Sequence, residues 1–275
     1  MKYADLHVHT YYSDSTFSPK QVIDIAHEKG IDVIGITDHD CFGGIDEACA
    51  CAKEYNIEIV PGIEISAITD DDKEIHILGY YLDRKDEDFL KKLEIIYASR
   101  IERVYLVTKL LQEKGLDIEA QDIFNIVGKG TISRLHIARA IYEKGFVRSL
   151  GAAFKKYIGV NAPCYLPHMK ISPQETIESI LAAGGVPVIA HPITMNDDSL
   201  ISELVDYGLK GIEVFHTNHS VSDEKKYKKI AKQFDLIMTG GSDCHGDAKR
   251  NVLLGSRLVQ YEVVEQLKRA SLNNV

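Results

Sequence analysis

Residues 3–8 alternate apolar and polar positions, so Asp5, His7 and the adjoining His9 share one face of a short strand while Leu6 and Val8 take the other. The rise of an extended chain sets the two histidines about 7 Å apart, within reach of one divalent ion. A helical period then covers 18–29, opened by Ser18 as N-cap, Pro19 in the first turn and Gln21 completing a capping box, and stopped at Gly30. Residues 32–37 are nearly all apolar, the mark of a strand buried on both faces, and end in Asp38-His39-Asp40. A helix over 44–55 follows, then strands over 57–66, carrying Glu64, and 74–82, carrying His76.

From 86 to 158 the patterns are all helical: 86–114, 119–127, 132–144 and 149–157, separated by Gly115, Gly128-Lys129-Gly130 and Gly145. Strand–helix alternation resumes with Ser172-Pro173 opening a helix to 183. Strands over 186–190, 211–215 and 236–240 lead into His191-Pro192, His216-Thr217-Asn218-His219 and Ser242-Asp243-Cys244-His245. Helices over 199–207, 223–234 and 262–270, and a last strand near 256–260, complete the pattern. Short strand–helix connections predict a parallel sheet with right-handed crossovers. Polar clusters follow nearly every strand, which favours a closed or nearly closed α/β barrel over an open sheet, because a barrel gathers strand C-termini at one face. The expected division is a barrel of 1–85 and 166–275 with a helical insertion at 86–165.

Charge marks the same insertion. The 275 residues carry a net −9, yet 91–170 hold fourteen Lys and Arg against seven Asp and Glu, a local +7, leaving −16 elsewhere. Such an acidic body does not suit a protein that coats duplex DNA; it suits metal-binding carboxylates beneath a basic cap. The odd set of five cysteines (41, 49, 51, 164, 244) contains no Cys-x-x-Cys pair, so free, mostly buried thiols are expected, with Cys244 turned into the core. No run is long enough to span a bilayer and no leader precedes the first strand, so a cytoplasmic protein is expected. Oligomeric state is left open.

Eight of the eleven histidines fall in a predicted strand or just beyond its end, together with Asp5, Asp14, Asp38, Asp40, Glu64 and Asp243. His27 and His168 read as ordinary surface residues. Converging so many carboxylates and imidazoles without cations would cost several kcal/mol in desolvation and like-charge repulsion. A multinuclear metal site is therefore expected.

The motifs Asp-Leu-His-Val-His-Thr (5–10), Thr-Asp-His-Asp (37–40), Gly-Ile-Glu-Ile-Ser (62–66), His-Ile-Leu-Gly-Tyr (76–80), Ala-His-Pro (190–192) and Gly-Ser-Asp-Cys-His (241–245) resemble, in order and along the whole chain, the PHP (polymerase and histidinol phosphatase) superfamily. The resemblance implies a distorted (β/α)7 barrel with a trinuclear site. One ion would be held by His7, His9, Glu64 and Asp243, a second by bridging Glu64 with His76 and His191, a third by Asp14, His39 and His245. The stretches 133–139 and 213–220 are similar to the branch of nucleoside 3′,5′-bisphosphate phosphatases and 5′-to-3′ exoribonucleases. Three positions depart from that pattern: Ser-Thr follows Asp14 in place of Gly-Thr, and Leu135 and Thr217 stand where Pro is usual.

Mixed imidazole and carboxylate donors suit two to three Mn, Fe or Zn ions, and the reaction expected is in-line attack on phosphorus. Arg134 is the leading phosphate fork, with Arg100 and Arg103 extending the surface, and the resemblance implies that His136 sits near the substrate. Asp40 and His219 are candidate proton donors to the departing alkoxide, or supports for neighbouring imidazoles, and His219 is also a candidate substrate contact. Asp5 and Asp38 read as supports for neighbouring ligands. The expected partner is a nucleotide or short RNA, with no membrane. The alternatives are a histidinol-phosphate phosphatase, C–N hydrolysis at a similar barrel, and a non-catalytic PHP module.

Overall fold

A computed structural model describes residues 1–166, 171–249 and 253–272. The chain runs β1 (Tyr3–Val8), α1 (Pro19–Glu28), β2 (Val33–Ile36), α2 (Gly43–Ala52), β3 (Glu58–Ile68), β4 (Glu74–Tyr80), α3 (Glu87–Glu113), α4 (Ala120–Val127), α5 (Arg134–Glu143) and α6 (Leu150–Ala153). A π-helical turn, Phe154–Ile158, continues α6. Then come α7 (Pro173–Ala182), β5 (Val186–Ile189), α8 (Leu200–Asp206), β6 (Gly211–His216), α9 (Val221–Gln233), β7 (Ile237–Gly241), β8 (Val259–Gln260) and α10 (Tyr261–Leu272). The capping boxes at Ser18/Gln21 and Ser172/Glu175 form, each with a Pro in the first turn.

The eight strands form one sheet in the order β7-β6-β5-β4-β3-β2-β1-β8. The sheet is mixed, which corrects the expectation of a parallel one. β4 is antiparallel to both β3 and β5, and β8 is antiparallel to β1. The reason is local: Thr69 to Lys73 is too short for a crossover, so β3 turns straight back in a hairpin closed by Thr69 N–H on the Lys73 carbonyl. Reversal brings His76 to the site from the beginning of its strand, opposite Ser66.

The sheet closes on itself at the site end. Beyond β7, Asp243 N–H donates to the His7 carbonyl at 2.8 Å and His9 N–H to the Cys244 carbonyl at 3.1 Å. Closure needs Gly241, where a Cβ would fall 2.4 Å from the His7 nitrogen. Apolar clusters on both sides of the sheet bury it, and the helical segment keeps its own cluster, from Val104 to Cys164. All five thiols are free; Cys164 and Cys244 are buried, but Cys41, Cys49 and Cys51 are only half-buried, fewer core thiols than expected. Among the described residues no helix is long and apolar enough to cross a membrane.

Candidate metal centre

The strand ends and loops bring the predicted polar residues into one buried cluster. Three groups have ligand atoms within 4.8 Å of one another: His7, His9, Glu64 and Asp243; His9, Asp14, His39 and His245; and His39, Glu64 and His76. Glu64 lies at their meeting point. Its Oε2 is buried without a hydrogen bond, yet His7 Nε2, His9 Nε2 and His39 Nδ1 stand 3.2–3.3 Å from it. Its Oε1 faces His76 Nδ1 at 2.9 Å and His191 Nε2 at 3.0 Å.

Each of five imidazoles uses one nitrogen inward and has a partner for the other. His7 Nδ1 meets Glu213 Oε1 at 3.1 Å, His9 Nδ1 meets Ser13 Oγ at 3.4 Å, and His76 Nε2 meets Glu74 Oε1 at 3.2 Å. His191 Nδ1 meets Thr194 Oγ1 at 3.1 Å, and His245 Nδ1 donates to the Asp243 carbonyl at 2.9 Å. Asp38 accepts from Thr10 N–H, Thr10 O–H and Ser13 O–H, tying down the loop that carries Asp14. Asp5 accepts from Ser242 and Gly255 N–H groups, fastening the segment after β7. Backbone strain collects here: Asp40, His191 and Asp243 have φ of +49°, +26° and +55°.

Burial pushes the imidazoles of His39, His191 and His245 down. At His7, His9 and His76 burial acts the same way but the adjacent carboxylates override it, raising His9 to about 9 and His76 to about 10. Burial opposes ionisation of Asp14, Glu64 and Asp243, yet the imidazoles around Asp14 and Glu64, and Lys249 and imidazoles beside Asp243, hold all three well below the usual carboxylate range.

A cavity of about 310 Å³ opens over this cluster, with Asp14, His39 and His245 on the barrel side and Arg103, Arg134 and Phe154 on the helical side. A second, of about 270 Å³, adjoins it and shares Glu74, His76, Arg134 and Lys249.

Comparison with known proteins places the chain. The PHP domain matches residues 5–146. A 5′-3′ exoribonuclease of Haemophilus influenzae is 32% identical over 246 residues, covering 88% of this chain and 89% of the relative. A 3′,5′-nucleoside bisphosphate phosphatase of Chromobacterium violaceum is 32% identical over 263 residues, 90% of each. A solved Bifidobacterium adolescentis structure, described as a proposed metal-dependent phosphoesterase, superposes with a TM-score of 0.90 at 30% identity, covering 97% of this chain and 96% of that one. The chain belongs to the PHP domain family.

The donors of this PHP centre fit divalent ions. Imidazole and carboxylate oxygens converge, no thiolate is among them, and Asp14 Oδ1, His39 Nδ1 and Glu64 Oε2 are buried without hydrogen bonds. His7 Nε2 and His9 Nε2 lie only 3.2 Å apart, an approach that a shared cation would relieve.

The other residues singled out for the PHP site sit in different surroundings. Asp40 does not line the cavity over the cluster; its carboxylate is buried, paired with Arg100 and accepting from Ser66 N–H. Arg100 is equally committed, to Asp40, Ser66 Oγ and the Ile132 carbonyl, although it reaches the cavity wall. His136 is buried and accepts from Ser133 N–H as a cap of α5, outside both cavity walls. His219 is buried against His216 and Tyr227, donates Nδ1–H to the Val214 carbonyl and lines neither cavity. Arg134 is paired with Glu74 at 2.8 Å. Arg103, by contrast, is 4% exposed with Nε and Nη2 lacking any hydrogen-bond partner among the described residues, and burial with the adjacent Arg100 pulls its guanidinium down to about 9. His27 is exposed and stacks on Tyr55, as a surface residue should; His168 lies outside the described residues.

Sequence reasoning gave no role to Glu74, Glu213 or Lys249. Glu74 precedes His76 by two residues and so shares its face, a signal present in the sequence. Lys249, whose Nζ lies 3.0 Å from Asp243 Oδ2, follows an irregular loop and carries no such signal.

Proposed function

We propose that this PHP protein is a metal-dependent phosphoesterase acting on nucleoside 3′,5′-bisphosphates and on short 5′-phosphorylated RNA. One observation carries the reading: a carboxylate–imidazole centre and the buried Arg103 guanidinium, whose Nε and Nη2 have no hydrogen-bond partner among the described residues, face each other across a single cavity. Buried guanidinium N–H groups without acceptors are costly, and a phosphoryl group would satisfy them.

In this reading His7, His9, Glu64 and Asp243 hold one ion. Glu64, His76 and His191 would hold a second, and Asp14, His39 and His245 would hold a third. Mn, Fe or Zn bound there would supply Lewis acidity for attack of water on phosphorus. The chain's own residues do the rest. Arg103 and Arg134 neutralise phosphoryl oxygens from the helical side, Lys249 does so from the barrel side, and α5 with α6 shields the cavity from bulk water. The division into a barrel of 1–85 and 166–275 and a cap of 86–165 belongs to this proposal, as does a reducing, cytoplasmic setting, which the free thiols support. Histidinol phosphate, which carries its own cationic groups, would leave a cationic wall with less to do.

The test is phosphate release, with Mn²⁺ added, from 3′-phosphoadenosine 5′-phosphate, a 5′-phosphorylated RNA oligomer and histidinol phosphate. Turnover of the first two is expected, and Arg103→Ala should lower kcat/KM by about 10- to 100-fold, the value of a charge-assisted hydrogen bond. Turnover of histidinol phosphate alone would overturn the nucleotide reading, and no hydrolysis by metal-loaded protein would overturn the phosphoesterase reading.

A further inference from the structure

Glu74 opens β4 and shares a strand face with His76. Two of its contacts join two systems. Oε1 lies 3.2 Å from His76 Nε2, while Oε2 pairs with Arg134 Nη2 at 2.8 Å. His76 turns its other nitrogen, Nδ1, to Glu64. One carboxylate therefore links an imidazole of the centre to the first residue of α5. Glu74, His76 and Arg134 line both cavities, so the link stands where the two meet.

We propose that Glu74 is a positioning residue that couples anion binding on Arg134 to the hold of His76 on its ion. The inference rests on the phosphoesterase reading for the identity of the anion. Glu74 pairs with Arg134, so a ligand must carry enough charge to compete for that guanidinium; a phosphate dianion does. Once phosphoryl oxygens take Arg134, more of the Glu74 charge falls on the outer N–H of His76. An imidazole whose outer N–H is held by a carboxylate is a stronger donor through its inner nitrogen. Coupling of this kind is reciprocal: the factor by which phosphate tightens the divalent ion equals the factor by which the ion tightens phosphate. Direct contact between phosphate and ions contributes coupling of its own, and the Glu74 share is the part a substitution there removes.

Calorimetric titrations with inorganic phosphate and with Mn²⁺, each with and without the other, separate these terms. Glu74→Gln keeps an oxygen for His76 and removes the charge from Arg134. It should bind phosphate about three- to tenfold more tightly than wild type, within the range of one partly buried ion pair, while the gain in Mn²⁺ affinity caused by phosphate shrinks. In an Arg134→Ala background the same change should alter phosphate affinity by less than about twofold. Arg134→Ala alone, an independent readout if the Glu74 variant folds poorly, should bind phosphate more weakly but Mn²⁺ about two- to fivefold more tightly when phosphate is absent. Unchanged or weaker phosphate binding by Glu74→Gln, or weaker Mn²⁺ binding by Arg134→Ala, would overturn the proposal, since a merely structural link loses affinity on both sides. The affinities are read without turnover. Shifts as expected without hydrolysis leave the coupling standing and remove the phosphoesterase reading; hydrolysis with no shifts removes the coupling alone.

Discussion

Glu213 is fully buried on β6 and has both oxygens engaged, Oε1 with His7 Nδ1 at 3.1 Å and Oε2 with the His191 N–H at 2.8 Å. It fixes the ring of one imidazole and the backbone of another. A carboxylate on the far nitrogen sets the tautomer, so the lone pair of His7 points inward. Glu213→Gln keeps the volume but presents an amide that must donate from one of its two ends. Mn²⁺ affinity should fall about 10- to 100-fold with the circular dichroism spectrum unchanged; equal affinity, measured by metal content after dialysis, would show that Glu213 does not orient His7. This residue marks a limit of reading by alternation. His7 lies in β1 and His9 one residue beyond its end, and despite a slip of β1 against β2 between Asp5 and Val8 their spacing of two still brings both rings to the same cluster. β6 slips register between Glu213 and Phe215, and no simple period assigns Glu213 a side. Arg103 shows the complementary limit, because only tertiary burial separates it from Arg100 one turn away.

At the scale of elements, helix boundaries follow the caps and glycines closely, while strand direction does not follow from rhythm. The strand and helix patterns predict where β3 and β4 lie; whether they run parallel is set by the length of the link between them, and five residues permit only a hairpin. The start of α5 shows how one element can carry a pH response. His136 sits at its third position, takes the Ser133 N–H on Nδ1, and is pushed down by burial to about 4. The unfolded chain binds a proton here below about 6.5 and the folded chain does not until about 4, so this group costs stability as pH falls through that window. The loss amounts to about 3 kcal/mol. His136→Gln keeps an acceptor and cannot titrate. In metal-free protein the drop in urea-unfolding free energy from pH 7 to pH 4.5 should be smaller in the variant by about that amount; equal drops would mean that His136 is solvated or charged in the folded state.

For the whole molecule, the charge asymmetry and the centre belong to one problem. The barrel carries the acidic excess and closes around a buried set of carboxylates and imidazoles. The basic helical segment is tied across it by the buried Asp40–Arg100 pair and by the turn at Gly130, where a Cβ would fall 2.6 Å from the Tyr11 carbonyl oxygen. Thr131 N–H also donates to the Tyr12 carbonyl, so the segment bears directly on the loop that carries Asp14. Ions that bind only the folded chain stabilise it by mass action, by about 4 kcal/mol at a thousand times Kd. For a domain of this size that corresponds to about 10 °C in Tm. Chelation should therefore lower Tm by about that much, and re-addition of Mn²⁺ should restore it. Because the closure of the barrel runs through backbone bonds of His7, His9 and Asp243 themselves, loss of the ions should loosen the junction of β1 with the segment after β7 before the rest of the sheet. Hydrogen exchange on the His9 and Asp243 amides reads this directly. Faster exchange there after chelation, with β3 and β4 still protected, is the expected result; uniform loss of protection would mean that the centre and the sheet unfold as one unit.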